Sequence, residues 1–211
     1  MIDPFTLTDE FGPREVIHLC EPTQSLRAIV VVDNVALGPA LVRVRIAPDL
    51  PVAECARLAR VTTLECATVG LPFGGGQAVV FASPQLDAHR QRTLLRCFGS
   101  AFARHRDVIA IPDLGTDETA MAWMYDEGAP VAGRPRALGG IGLEELGVTG
   151  LGVFHSARVA VDYCDIPLLG RASRFRGLVW WPSMPRGTWS RPAHTSLPSR
   201  IWGGRSTRQR G

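Results

Sequence analysis

Apolar and polar positions along this chain change period repeatedly, and each change marks an expected element. Glu15 to Cys20 (EVIHLC) alternates and predicts a strand; Arg27 to Val32 (RAIVVV) is a denser apolar run, as expected of a strand covered on both faces. Asn34 to Pro39 turns the chain, and Val42 to Ile46 (VRVRI) alternates strictly, predicting a third strand. Pro51 then opens a helix at its first position, with Val52, Cys55, Ala56, Leu58 and Ala59 at helical spacing on the way to Val69. After a glycine loop at Gly74, Gly75 and Gly76, a short strand is expected over Ala78 to Phe81. Ser83 and Pro84 are expected to cap a second helix whose Leu94, Phe98 and Phe102 form a core stripe. Val108 to Ile111 predicts another strand, and Thr116 a third helix with Asp117 and Glu118 in its first turn. Gly128 to Gly142 is a Gly/Pro-rich connection, and Leu151 to Tyr163 a last helix with Val153, Ala157, Ala160 and Val161 inward. Such alternation predicts an α/β domain, three-layered, with a mixed sheet flanked by helices.

Two stretches carry candidate chemistry. In GLPFGGGQAVVF (Gly70 to Phe81) three consecutive glycines let the backbone approach a ligand or another strand closely. In IPDLGTDETAMAWM (Ile111 to Met124) the carboxylate of Asp113 stands at a strand end, a position suited to acid–base work. These stretches resemble the substrate domain of the NAD-dependent amino-acid dehydrogenases acting on glutamate, leucine, phenylalanine and valine. The family reads GLPxGGGK, PDxGTxxxxMxWM, LGPALGGVR and MTxKNA. This chain reads GLPFGGGQ, PDLGTDETAMAWM, LGPALVRVR (Leu37 to Arg45) and TTLECA (Thr62 to Ala67). The resemblance runs from about Phe11 to Pro167, takes in GVTGLGV at Gly147 to Val153, and looks closer to the leucine, valine and phenylalanine enzymes. It implies a substrate and dimerisation domain over residues 11–146 and a helix over 147–167 leading toward an NAD-binding domain. It also implies a small L-amino acid substrate and self-association through the N-terminal domain.

The resemblance further implies where the chemistry would lie. The family's GGGK lysine works with the aspartate of PDxGT on proton transfers and the attacking water; here Gln77 stands at the lysine and Asp113 at the aspartate. A carboxamide neither exchanges a proton near neutrality nor presents a cation. The MTxKNA lysine, held to bind the substrate α-carboxylate, is Glu65 here, and two carboxylates 4 Å apart repel by about 4 kcal/mol at an effective dielectric of 20. Val42 and Arg43 occupy the glycine pair that lines the pocket, adding bulk. Each of these four changes requires one nucleotide. Gly74, Gly75 and Gly76 are expected to line the substrate site, and Thr149 and Gly150 to match the motif approaching the nicotinamide. His89, His105 and His155 match no motif.

Composition sharpens this picture. All 23 basic residues among 211 are arginine, so no lysine elsewhere can compensate. The five cysteines show no metal-type spacing and are expected as buried, reduced thiols of a cytoplasmic protein without a membrane segment. From Leu168 the character shifts: nine arginines, four of the five tryptophans and no acidic residue. Such a tail suits a nucleic-acid arm, but a displaced reading frame explains it better. Taking the third base of each codon with the first two of the next, Trp180-Trp181 must give Val, Trp181-Pro182 Ala, Met184-Pro185 Ala and Trp202-Gly203 Gly. The permitted bases elsewhere allow a strand, a GxGxx turn, a helix, a second strand and an acid, the outline of a dinucleotide-binding unit. The expectation is therefore a frame slip near Leu168 to Arg171, a tail without nucleic-acid function, no NAD bound by this chain, and a truncated, inactive dehydrogenase relative. The alternative is a non-catalytic oligomerisation module pairing with itself or an intact paralogue.

Overall fold

The computed structural model describes residues 4–83, 85–142 and 148–164, without the side chains of residues 4, 149, 154 and 158. They divide into two units, residues 1–146 and 147–211. In the first, five strands form one mixed sheet in the order β1-β2-β4-β3-β5, with β1 Glu15–Glu21, β2 Leu26–Asn34, β3 Ala40–Ala47, β4 Gly74–Phe81 and β5 Val108–Pro112. β1–β2 and β2–β4 are antiparallel; β4–β3 and β3–β5 are parallel. The three helices are α1 Val52–Thr68, α2 Ala88–Phe102 and α3 Glu118–Asp126.

Alternation along the strands divides the core. Val30, Val32, Val42, Val44, Ala78 and Val80 meet Leu95, Phe98 and Phe102 of α2 and Met121 and Met124 of α3. On the other face Ile29, Val31 and Val79 meet Cys55 and Ala59 of α1. The expected α/β layering is present, with two helices on one face and one on the other. α1 lies chiefly over β4 and β2, which leaves the β3–β5 side of its face, with Arg43, Arg45, Ile109 and Ile111, without a helix among the described residues.

Several boundaries differ from the sequence reading, for local reasons. The three glycines are not a loop but the first residues of β4, paired with β3 and β2. Pro51 is the extended residue before α1 rather than its first helical position. α2 starts after Asp87, whose carboxylate accepts the Arg90 N–H at 3.0 Å; Ser83 instead turns back on Gln85. The Pro84 part of that expected cap falls outside the described residues. Asp117, not Thr116, caps α3 by accepting from Ala120 N. All five cysteines are free as expected, yet only Cys55 and Cys66 are buried, while Cys20 and Cys164 are exposed. In the second unit α4 spans Val148–Tyr163, and Ala160, expected inward, is exposed. Residues 168–211 of the expected tail lie outside the described residues. No helix among the described residues is long and apolar enough to cross a membrane.

Two contacts fix α1. Arg60 donates to both carboxylate oxygens of buried Asp33 (3.0 and 2.9 Å) and of Asp9 (2.9 and 2.8 Å), tying the N-terminal segment and β2 to the helix. Thr63 Oγ1 adds a 2.6 Å bond to Asp33. At Gly75 the helix backbone comes so close that a Cβ would stand 2.1 Å from Thr63 N and 2.7 Å from Ala59 O. Gly75→Ala is therefore expected to push α1 off β4 and to cost about 3 kcal/mol, read as a lowered urea midpoint. Gly152→Ala, where a Cβ meets nothing within 4 Å, is the matched control and should leave stability unchanged or slightly raised.

Candidate active site

The register of the parallel strands assembles the site. Arg43 on β3 lies opposite Gln77 on β4 and Ile111 on β5, and Arg45, two residues on, shares its face. Asp113 follows the end of β5. The intervening turn is held to β3: Ile46 N donates to Leu114 O at 3.0 Å, and Thr116 Oγ1 donates to Val44 O at 2.7 Å while accepting from Asp113 N at 2.9 Å. Gly115 at φ +82° makes that turn, in a region that L side chains rarely adopt.

Gln77 is the centre of the group and is wholly buried. Its Nε2 donates to Asp113 Oδ2 (3.0 Å), Arg43 O (3.0 Å) and Ala78 O (3.2 Å). Its Oε1 is buried with no hydrogen-bond partner, as is Arg43 Nε. Asp113 also accepts from Arg45 Nε at 2.8 Å and Arg45 Nη2 at 3.4 Å. Burial pushes the Asp113 carboxyl up, but the bonds from Arg45, then Gln77, then the Leu114 N–H outweigh it, so it stays below its ordinary value and ionised at neutrality. Beneath the group, burial pushes the Cys55 thiol up to about 12, leaving it a neutral donor to Gln77 O.

At the rim, Glu65 of α1 reaches down to the guanidinium of Arg43, an ion pair with both partners partly exposed. Here the structure changes the expectation: the cation that answers Glu65 is an arginine from the floor, so the carboxylate is neutralised rather than left to repel. Arg43, expected only as bulk, is a charged member of the site. Val42 does not line it at all; its side chain is buried with the α2–α3 core on the opposite face. Gly74, Gly75 and Gly76 are occupied by protein on their Cβ sides, with Asn34 O, Thr63 N and Val42 Cγ2 at 1.7, 2.1 and 2.8 Å. Expected to line the substrate site, they leave no open space on their Cβ sides. Thr149 and Gly150 fall within α4, in the second unit.

Arg45 is not among the residues the sequence marks for the site, and Thr116 is marked only as a helix start. VRVRI held the signal for the first, since two arginines alternating on a parallel inner strand must share a face that α1 leaves open.

Residues 16–129, just over half of the chain, match the Glu/Leu/Phe/Val dehydrogenase dimerisation domain. The chain belongs to that family. It is 30% identical over 169 residues to the phenylalanine dehydrogenase of Thermoactinomyces intermedius, covering 77% of this chain and 45% of that protein. It is 35% identical over 121 residues to the NAD-specific glutamate dehydrogenase of Staphylococcus aureus (strain COL), covering 51% and 29%. Among solved structures, the hetero-hexameric glutamate dehydrogenase of Thermus thermophilus in its Leu-bound form superimposes with a TM-score of 0.65 at 28% identity, over 75% of this chain and 42% of that one. The chain thus spans less than half the length of these relatives.

Because the folded Asp113 carboxyl titrates below its unfolded value, its contribution is full above the ordinary carboxylate pKa of about 4 and is lost as pH falls through the folded value. Asp113→Asn is expected to cost about 2 kcal/mol at neutral pH by leaving Arg45 half-buried and unpaired. Urea denaturation across acid pH should show that gap to the parent closing below pH 4.

Proposed function

We propose that this chain is an amino-acid dehydrogenase relative that does not itself turn over amino acids. In the intact family, oxidative deamination converts an L-amino acid, water and NAD to a 2-oxo acid, ammonium, NADH and a proton. One observation carries the reading: Gln77 holds the place of the GGGK lysine, its Nε2 3.0 Å from Asp113 and taken up by three acceptors. The geometry of a proton-transfer pair is kept with one member unable to transfer a proton. Asp113, ionised and gripped by Arg45, has neither a protonated neighbour to relay through nor an ammonium to balance a developing alkoxide.

The displaced-frame reading of residues 168–211 supports a second loss, that of the NAD-binding half, and with it NAD binding by this chain. Free cysteines throughout support a reducing, cytoplasmic setting. A second reading, an oligomerisation module pairing with itself or an intact paralogue, is favoured by β1, which lies at the sheet edge with Val16 exposed. Sedimentation as a monomer at micromolar concentration would remove it.

Incubation of the purified chain with NAD or NADP and L-phenylalanine, L-leucine, L-valine or L-glutamate is expected to give no reduced nicotinamide above an enzyme-free blank. Steady turnover with any of them would overturn the proposal. Genomic sequencing through the codons of Leu168 to Arg171 tests the frame: a dinucleotide-binding unit should open in the neighbouring register.

A further inference from the structure

Arg43 and Glu65 meet across the open half of the sheet face, one from the floor and one from the helix wall. The family pattern has a glycine at the first position and a lysine at the second, an empty floor beside a cation. This chain has the reverse: a long cation rises from the floor and a carboxylate comes down to it. The consequence shows in burial. Gln77 stands at a position that must meet substrate in a working site, yet none of it is exposed. Under the bridge, Gln77 Oε1 and Arg43 Nε are both out of contact with solvent and both lack partners. Unmet polar groups of that kind are costly, and both atoms are covered by protein while the outer parts of Arg43 and Glu65 stay partly exposed.

We infer that the Arg43–Glu65 bridge occupies the carboxylate subsite of the amino acid, so that these two residues determine that the site excludes its substrate. The inference rests on the amino-acid-site reading above. Chemically the bridge is a self-ligand. Glu65 presents to a cation the group that an amino acid would present, and Arg43 fills the volume the amino acid would need. A tethered carboxylate competes at an effective concentration in the millimolar range or above, which weak free ligands do not overcome. Exclusion therefore comes from occupancy rather than from net charge, since Arg43 and Glu65 cancel.

Calorimetric titration of the full chain with L-phenylalanine, L-leucine and L-glutamate tests this. The parent is expected to show no binding at millimolar ligand, and the Arg43→Gly/Glu65→Lys double variant to bind at least one of the three, a gain of about tenfold or more. Glu65→Ala is a second arm that leaves the floor intact and removes only a half-exposed side chain. It should free Arg43, speed its modification by an arginine-selective dicarbonyl, and let added L-amino acid protect it. The inference is overturned if both variants, folded by circular dichroism, bind no better than the parent. It is equally overturned if the parent already binds and Arg43→Gly loses binding, which would make Arg43 the carboxylate receptor. Either result leaves the absence of turnover untouched, whereas turnover by the parent would sink the functional reading itself.

Discussion

The contact of α1 with β4 at Gly75 sets the rest of the domain. With no Cβ there, Ala59 O and Thr63 N rest directly on the strand, and the helix lies over the central strand β4 and over β2 rather than toward β3 and β5. The β3–β5 side of that face is left without a helix among the described residues, and Arg43, Arg45 and Asp113 stand there beside Ile109 and Ile111. The same contact sets the height of Glu65, two residues beyond Thr63, so that it meets a floor residue instead of pointing to solvent. The Asp33–Arg60–Asp9 clamp reinforces this placement, with Thr63 bonded to the same Asp33 carboxylate.

Electrostatically the site is balanced where the family pattern is cationic. Two lysines, the arginine at position 45 and the aspartate at 113 would leave two positive charges for a substrate carboxylate and a developing oxyanion. Here Arg43 and Glu65 cancel, Arg45 and Asp113 cancel, and Gln77 contributes a dipole. The ion pairs satisfy one another. A ligand would have to break a pair before gaining one, at a cost that is small at the exposed Arg43–Glu65 pair and larger at the part-buried Arg45–Asp113 pair.

The strands and the two-faced core were legible because VRVRI, RAIVVV and the Leu94/Phe98/Phe102 stripe state their periods without competition. The helix starts were not. Ser83, Thr116 and Pro51 are each plausible start signals, and the choice fell to Asp87, Asp117 and an extended proline through tertiary geometry that no local pattern carries. The glycine run was misread as a loop because glycine is a poor strand former in isolation. Its place in β4 is imposed by α1 and by pairing on both sides. The positions of Gln77, Glu65 and Asp113 were readable through the family pattern, but the pairing of Glu65 with Arg43 was not. It joins β3 to α1 across 22 residues, and only the strand register together with the seat of α1 on β4 brings the two together.

The motif separates into residues that the fold needs and residues that only the reaction needs. Gly75 admits the helix, Gly115 makes the turn after β5, Thr116 ties that turn to β3, and Asp113 neutralises an arginine that would otherwise stand half-buried and alone. All four match the family pattern. The two lysines bear on neither the turn nor the helix contact, and both are absent. A carboxamide fits the first place by donating to the same carboxylate, and a glutamate fits the second once Arg43 faces it. Asp113 therefore cannot be taken as a sign of surviving catalysis, because Arg45 alone is reason enough for a carboxylate at that position.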